Sequence, residues 1–357
     1  MTVFKNALIG DTVTDITVEG GVITSLEKSP LSGVELGGMR VYPGLIDVHV
    51  HGCMGYDVSD KEDNLGQMAD YLLAHGTTAW CPTTMTVGAE DIIGATNKNT
   101  DLSHGAEIIG FHLEGPFINP KHKGAQNPDH IFRPTLSLLE KCKNVARITI
   151  APELPGSKAF IENATCQVSL GHSDADYDTA KGAFRAGVSS LTHTFNAMNG
   201  IHHRAPGPIL AAVETPGVYT ELIADGKHIH PAVMRMLIEL MGDERVVLVS
   251  DSIRALGMPD GEYELGGINI TITNGTAYTP DMHLAGSTSC LFDCVKFLIG
   301  CGIAADRAVK MASENPARML GIKKGKLEVG YDADMIVVDN GFNLVKVISR
   351  GNCEDAV

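Results

Sequence analysis

Apolar and β-branched runs alternate with stretches of helical periodicity through the middle of the chain. The runs fall at 44–49, 77–81, 107–112, 147–152, 166–171, 188–193, 218–224 and 246–251. Between them, apolar residues recur at helical spacing over 65–74, ended by Gly76, and over 177–186, stopped by Gly187. A third such stretch, 231–241, is opened by Pro231 and closed by Gly242. Eight strands alternating with helices predict an α/β architecture, a (β/α)8 TIM barrel over residues 44–322. A doubly wound open sheet is the competing reading, but no GxGxxG fingerprint follows a first strand. Residues 259–284, with Gly266-Gly267 and Asn274-Gly275, read as a hairpin insertion after the eighth strand.

The two ends of the chain have a different rhythm. Val3 to Ile9, Asp15 to Val18 and Val22 to Leu26 read as short strands, the last two separated by a Gly20-Gly21 turn. Gly325 to Gly330, Met335 to Asp339 and Leu344 to Ile348 repeat that character. Together they predict a small β-sandwich domain formed by both termini, residues 1–43 and 323–357.

With 44% hydrophobic and 20% charged residues over 357 positions, the chain has enough apolar content for a large core. Its net charge of −15 argues against a nucleic-acid partner, which needs a basic face. A small anionic ligand stays open, because a few placed cations serve one phosphate. No apolar run is long enough to span a membrane. The opening MTVFKNALIGDTVTD has neither an apolar h-region nor a cleavage pattern, so a cytoplasmic location is expected. Eight scattered cysteines without a CxxC pair fit reduced, mostly buried thiols. Cys290 and Cys294, four apart on a predicted helix, have no partner ligands for a metal clip.

In a barrel of this kind the reactive groups gather at the C-terminal ends of the strands. The first strand ends in His49-Val50-His51, the third in His112-Leu113-Glu114 and the fifth in Gly171-His172-Ser173. The sixth ends in His193 and the eighth in Ser250-Asp251-Ser252. His49 and His51 are two apart, so on a strand both rings face the same side. Each of these residues taken singly has an ordinary structural explanation. Five strand ends carrying such groups together point to a metal site. Imidazoles and a carboxylate suit a divalent cation such as zinc and tolerate iron or manganese. Such a cation acidifies water and polarises a carbonyl. Asp251 is then the candidate that moves the proton from water to a leaving amine. Ile201-His202-His203-Arg204, directly after the sixth strand, is expected to bring cationic groups to the rim of the site.

Pro43-Gly44-Leu45-Ile46-Asp47-Val48-His49-Val50-His51-Gly52 resembles the opening motif of the amidohydrolase superfamily. Leu113-Glu114-Gly115-Pro116-Phe117, Gly171-His172-Ser173, His193-Thr194-Phe195-Asn196-Ala197-Met198 and Ala224-Asp225-Gly226-Lys227-His228 resemble, in order along the whole chain, the N-acetylglucosamine-6-phosphate deacetylase family. The resemblance implies that Glu114, His172 and His193 are the central metal ligands. It implies that His49 and His51 are a second-metal pair, giving one or two cations per chain. Asp251 matches the proton-transfer aspartate. Asn196 and Ala197 match substrate contacts, as does Leu284 before Ala285-Gly286-Ser287. Arg204 and His228 match a phosphate-binding pair that is shared across a homodimer, with a phosphorylated amino sugar as ligand.

Two positions depart from that pattern. Where the family commonly has histidine after Lys-Gly and a small residue, this chain has Lys123-Gly124-Ala125-Gln126, which keeps a hydrogen-bonding group for the sugar but not a cationic one. Ser250-Asp251-Ser252 replaces Thr-Asp-Ala and leaves the acid in place. The favoured expectation is a metal-dependent deacetylase of N-acetylglucosamine 6-phosphate. Deacetylation of the galactosamine epimer, or of an unphosphorylated N-acyl or cyclic amide, is the alternative enzyme reading. Arg204 and His228 weigh against an unphosphorylated substrate. A scaffold that has lost its chemistry would lack a ligand or the acid, and none is missing.

Overall fold

The protein is described by a computed structural model over residues 1–356. Its middle is built on eight parallel strands: Leu45–Val50, Thr77–Thr84, Phe111–Glu114, Val145–Ile150, Gln167–Leu170, Val188–Leu191, Tyr219–Ile223 and Val246–Val249. Each pairs with the next in chain order. The first and eighth approach through their ends. Val50 bridges Ser252 in parallel register, and the Asp251 N–H donates to the His49 carbonyl at 3.0 Å. The result is a nearly closed barrel with helices between the strands. Several strands are buried along their whole length, as expected when helices cover the outside and side chains fill the inside.

The barrel interior is polar where it approaches the strand ends. His112 bonds Thr149 at 2.8 Å, Thr149 bonds Thr192 at 2.7 Å, and Thr192 bonds Ser169 at 2.6 Å. The fourth and sixth strands are not neighbours, so the Thr149–Thr192 bond crosses the interior. A separate apolar cluster of Ile46, Val48, Ala79, Cys81, Val247 and Val249 packs with Ala317 and Met319.

Three helices form where the apolar spacing predicts them, at Leu65–Ala74, Tyr177–Ala186 and Pro231–Met241. Their ends have local causes. Asp176 accepts the Thr179 N–H at 2.8 Å, and Gly187 takes up φ +129° to stop the second helix. The third strand differs from the expected 107–112. The chain pairs at Glu107–Ile108, breaks around Gly110 at φ +156°, and resumes as Phe111–Glu114. The insertion is a three-stranded antiparallel sheet of Gly261–Leu265, Ile268–Thr273 and Thr276–Tyr278. Cys290 caps the helix Leu291–Gly300 and Cys294 lies inside it; neither joins a metal-holding group among the described residues. No helix among those residues is long and apolar enough to cross a membrane.

Strands from both ends of the chain form a second sheet. Its order runs Asn352–Asp355, Leu344–Ser349, Met335–Val338, Arg40–Pro43, Thr2–Ile9, Thr12–Glu19, Val22–Ser25. The layers of the expected sandwich are thus one continuous sheet. It curls back on itself, because the Ile23 N–H donates to Tyr331 and the Ala333 N–H to Gly21. One face gathers Phe4, Ile16, Ile23, Val41, Met335 and Val337 into a core of its own. The alternate residues Ile336 and Val338 face the other way and join the barrel core.

Candidate metal centre

Five strand ends deliver their polar residues to one point. Glu114 is at its centre. Its Oε1 lies 2.8 Å from His193 Nε2, 3.2 Å from His172 Nε2 and 3.4 Å from His49 Nε2. Its Oε2 lies 3.1 Å from His51 Nε2. Asp251 Oδ1 is 3.4 Å from Nε2 of both His49 and His51. All six side chains are buried. Glu114 therefore belongs to two donor groups at once, one with His49 and His51 and one with His172 and His193.

Sharp backbone turns aim these groups. His172, His193 and Asp251 have φ of +48°, +27° and +50°, a region that costs a non-glycine residue about 1–3 kcal/mol. The Asp251 turn is held by the Ser287 N–H, which donates to its carbonyl at 2.7 Å. Gly286, at φ +67°, is required beside it: a Cβ there would stand 3.0 Å from the Asp251 carbonyl oxygen and 2.6 Å from Ile253.

The donor chemistry fits a cation. His51 Nδ1 donates to the Thr83 carbonyl at 3.1 Å, and His172 Nδ1 to the His122 carbonyl at 2.8 Å. His49 Nδ1 donates to Glu221 at 3.1 Å. These partners only accept, so each neutral ring carries its proton on Nδ1 and presents a bare Nε2. The bare nitrogens of His49 and His51 lie 3.2 Å apart, a pair that repels unless a positive charge sits between them. His193 Nε2 lies 3.1 Å from His172 Nε2, while its Nδ1 has no partner.

The field has the right sign. Burial works against charge on His49, but Asp251 and Glu114 outweigh it and push the ring's pKa well above its ordinary value. Burial alone would raise Glu114 and Asp251; His49 beside each holds both below the usual carboxylate range. The charge pattern that would protonate the imidazoles equally attracts a divalent cation.

A cavity of about 540 Å³ opens above this centre. Ala125, Gln126, Asn196, Ala197, His228 and Leu284 line it, together with Asp251 and four of the five metal-ligand candidates. Gln126 is engaged at both ends. Its Oε1 accepts the Thr86 N–H at 2.7 Å and its Nε2 donates to Glu114 Oε2, so it braces the central carboxylate. His228 Nδ1 donates to the buried Asp225 carboxylate at 2.8 Å, which leaves Nε2 for a ligand. Arg204 is not brought to this cavity, contrary to its expected place on the rim. It is exposed and lines a separate depression with Asp176 and Tyr177. Sequence reasoning missed Glu221, Arg147, Gln126's grip on Glu114 and the two carbonyls that orient His51 and His172. A charged residue inside an apolar strand run was the available signal for Glu221 and Arg147.

Comparison with known proteins agrees with this geometry. Residues 40–353 match the model of the amidohydrolase family. The chain is 37% identical to N-acetylglucosamine-6-phosphate deacetylase of Vibrio furnissii, over 93% of this chain and 88% of the relative. It is 34% identical to N-acetylgalactosamine-6-phosphate deacetylase of Escherichia coli O157:H7, over 94% of this chain and 93% of the relative. Among solved structures it resembles a mutant N-acetyl-D-glucosamine-6-phosphate deacetylase from Mycobacterium smegmatis in complex with N-acetyl-D-glucosamine-6-phosphate. The TM-score is 0.91 and the identity 30%, covering 99% of this chain and 98% of that one.

Proposed function

The chain belongs to the amidohydrolase family, and we propose that it hydrolyses the acetamide of N-acetyl-D-glucosamine 6-phosphate to glucosamine 6-phosphate and acetate. The observation that carries this reading is the convergence of Glu114, His172 and His193 under a cavity with Asp251 at its floor. Glu114, His172 and His193 would hold a divalent cation, zinc by the donor set with iron or manganese also compatible; when bound it would supply polarisation of a carbonyl and acidification of water. His49 and His51 offer the donors for a second.

Asp251 is ionised at neutral pH and takes the proton of the attacking water on its carboxylate. It then delivers that proton to the leaving nitrogen. Asn196, Ala197, Ala125 and Leu284 contact the sugar, while Gln126 keeps Glu114 in register. His228 Nε2 receives the phosphate. Arg204, turned away from its own cavity, completes the phosphate site of a second copy, which makes the working enzyme a homodimer. The enzyme acts in the cytoplasm, a compartment suited to its eight free cysteines.

Acetate release from a panel of N-acetyl sugars tests the substrate. N-acetylglucosamine 6-phosphate is expected to exceed its galactosamine epimer and both unphosphorylated sugars in kcat/KM. Equal or faster turnover of an unphosphorylated amide would overturn the assignment.

A further inference from the structure

Beneath the metal centre lies a charged pair that the reaction does not touch. Arg147 and Glu221 stand on the fourth and seventh barrel strands, and neither side chain has any exposed surface. Those strands are not neighbours, so their ion pair spans the interior. Burying two charges carries a desolvation penalty, and apolar residues of similar volume commonly serve stability as well. Stability alone gives no reason for the pair.

The contacts of Glu221 give one. Its Oε2 accepts the His49 Nδ1–H at 3.1 Å and the His193 backbone N–H at 3.0 Å. His49 belongs to one donor group and His193 to the other. The first contact fixes the plane of the His49 ring and leaves its Nε2 bare. The second pins the backbone at a residue whose φ is +27°. Arg147 holds the opposite oxygen, Oε1. Its guanidinium also reaches the Val48 carbonyl at 3.5 Å and the Ser190 hydroxyl at 3.3 Å. Arg147 thus ties Glu221 to the first and sixth strands, the ones that end in His49 and His193.

We propose that Glu221, held in place by Arg147, is a positioning residue that locks both halves of the metal centre into one geometry. This rests on reading Glu114 and the four histidines as cation ligands. A carboxylate behind a ligating imidazole sets its orientation and raises its basicity, and losing such a partner typically weakens metal binding by about 10–100-fold.

The test compares wild type, Glu221→Gln, and the double variant Glu221→Leu with Arg147→Met, which removes both charges together. Zinc affinity is measured by competition with a chromophoric chelator, and ligand geometry by the absorption spectrum of the cobalt-loaded chain. The unfolding midpoint of each metal-stripped chain is measured in parallel. Glu221→Gln is expected to bind zinc about 10–100-fold more weakly and to change the cobalt spectrum. The double variant is expected to regain the wild-type midpoint of the stripped chain while its zinc affinity stays low. Recovery of affinity together with the midpoint would show that the pair serves folding, and overturns the proposal. Should the double variant fail to fold, Glu221→Gln decides alone: unchanged affinity with an unchanged cobalt spectrum overturns the proposal. A wild-type chain that binds neither zinc nor cobalt refutes the metal-centre reading itself, a result distinct from the others.

Discussion

Asp251 sits 3.4 Å from two imidazole nitrogens and still faces the cavity, a position that suits a proton carrier better than a structural carboxylate. Asp251→Asn keeps the shape and removes the proton acceptor. Its kcat is expected to fall by about 10²–10⁴-fold, with metal content unchanged by elemental analysis. Arg204 calls for a different measurement, because it lies outside the cavity of its own chain. Arg204→Ala should lower kcat/KM for the phosphorylated sugar and leave the unphosphorylated one nearly unchanged. Arg204→Lys should recover only part of the loss, since an ammonium does not fork two donors onto one phosphate. Mixing Asp251→Asn chains with Arg204→Ala chains should restore activity if each site draws on both copies; no restoration would confine Arg204 to its own chain. The donor histidines and Glu114 were legible in the sequence because each ends an apolar run. Glu221 and Arg147 were not, because their partners lie on distant strands and only the closed barrel brings them within reach of His49.

At the level of elements, the strand ends leave little room for error. Gly171 precedes His172, and a Cβ there would stand 2.7 Å from Thr192 Cβ and 2.8 Å from Thr149 Cγ2. Gly171→Ala is expected to cost about 1–3 kcal/mol in urea unfolding and to weaken zinc binding by displacing His172. The terminal sheet makes its own prediction. Asp15 is buried, which works against its charge. Lys5 at 2.7 Å, the N–H groups of Asn6 and Ser29, and Lys28 override this and hold it well below the usual carboxylate range. Its contribution is present above the unfolded pKa near 3.8 and is lost as pH falls below that value. Asp15→Asn should therefore be less stable than wild type at pH 7, with the gap narrowing below about pH 4 in a series of unfolding midpoints. Three of the helices were legible because Gly76, Gly187, Pro231 and Gly242 mark their ends. The break in the third strand was not, because Ile109 keeps the apolar run continuous while Gly110 turns the backbone. The curl of the terminal sheet depends on backbone bonds between residues some three hundred positions apart, which no local pattern reports.

The whole molecule joins a barrel, polar inside near its strand ends, to a sheet made from both chain ends. Lys324 helps fasten the two. Its ammonium lies 2.8 Å from Glu107, 2.6 Å from Asp332 and 2.9 Å from Asp334, so it fills what would otherwise be a carboxylate cluster able to hold a cation. The −15 net charge repels an anionic substrate at long range, so binding must come from local cations. Of the two residues proposed to contact the phosphate, His228 lines the cavity and Arg204 lies outside it. The order of motifs made the barrel and its chemistry readable from the sequence, whereas the place of Arg204 outside the cavity was not, because no local pattern reports how the loop after the sixth strand turns. Cation dependence of the deacetylation is read from acetate release from N-acetyl-D-glucosamine 6-phosphate, measured on one preparation as isolated, stripped with chelator, and reloaded with zinc, with elemental analysis of each state. Turnover should disappear with the metal and return on reloading. Full turnover in a chain that elemental analysis shows to be metal-free would contradict the account.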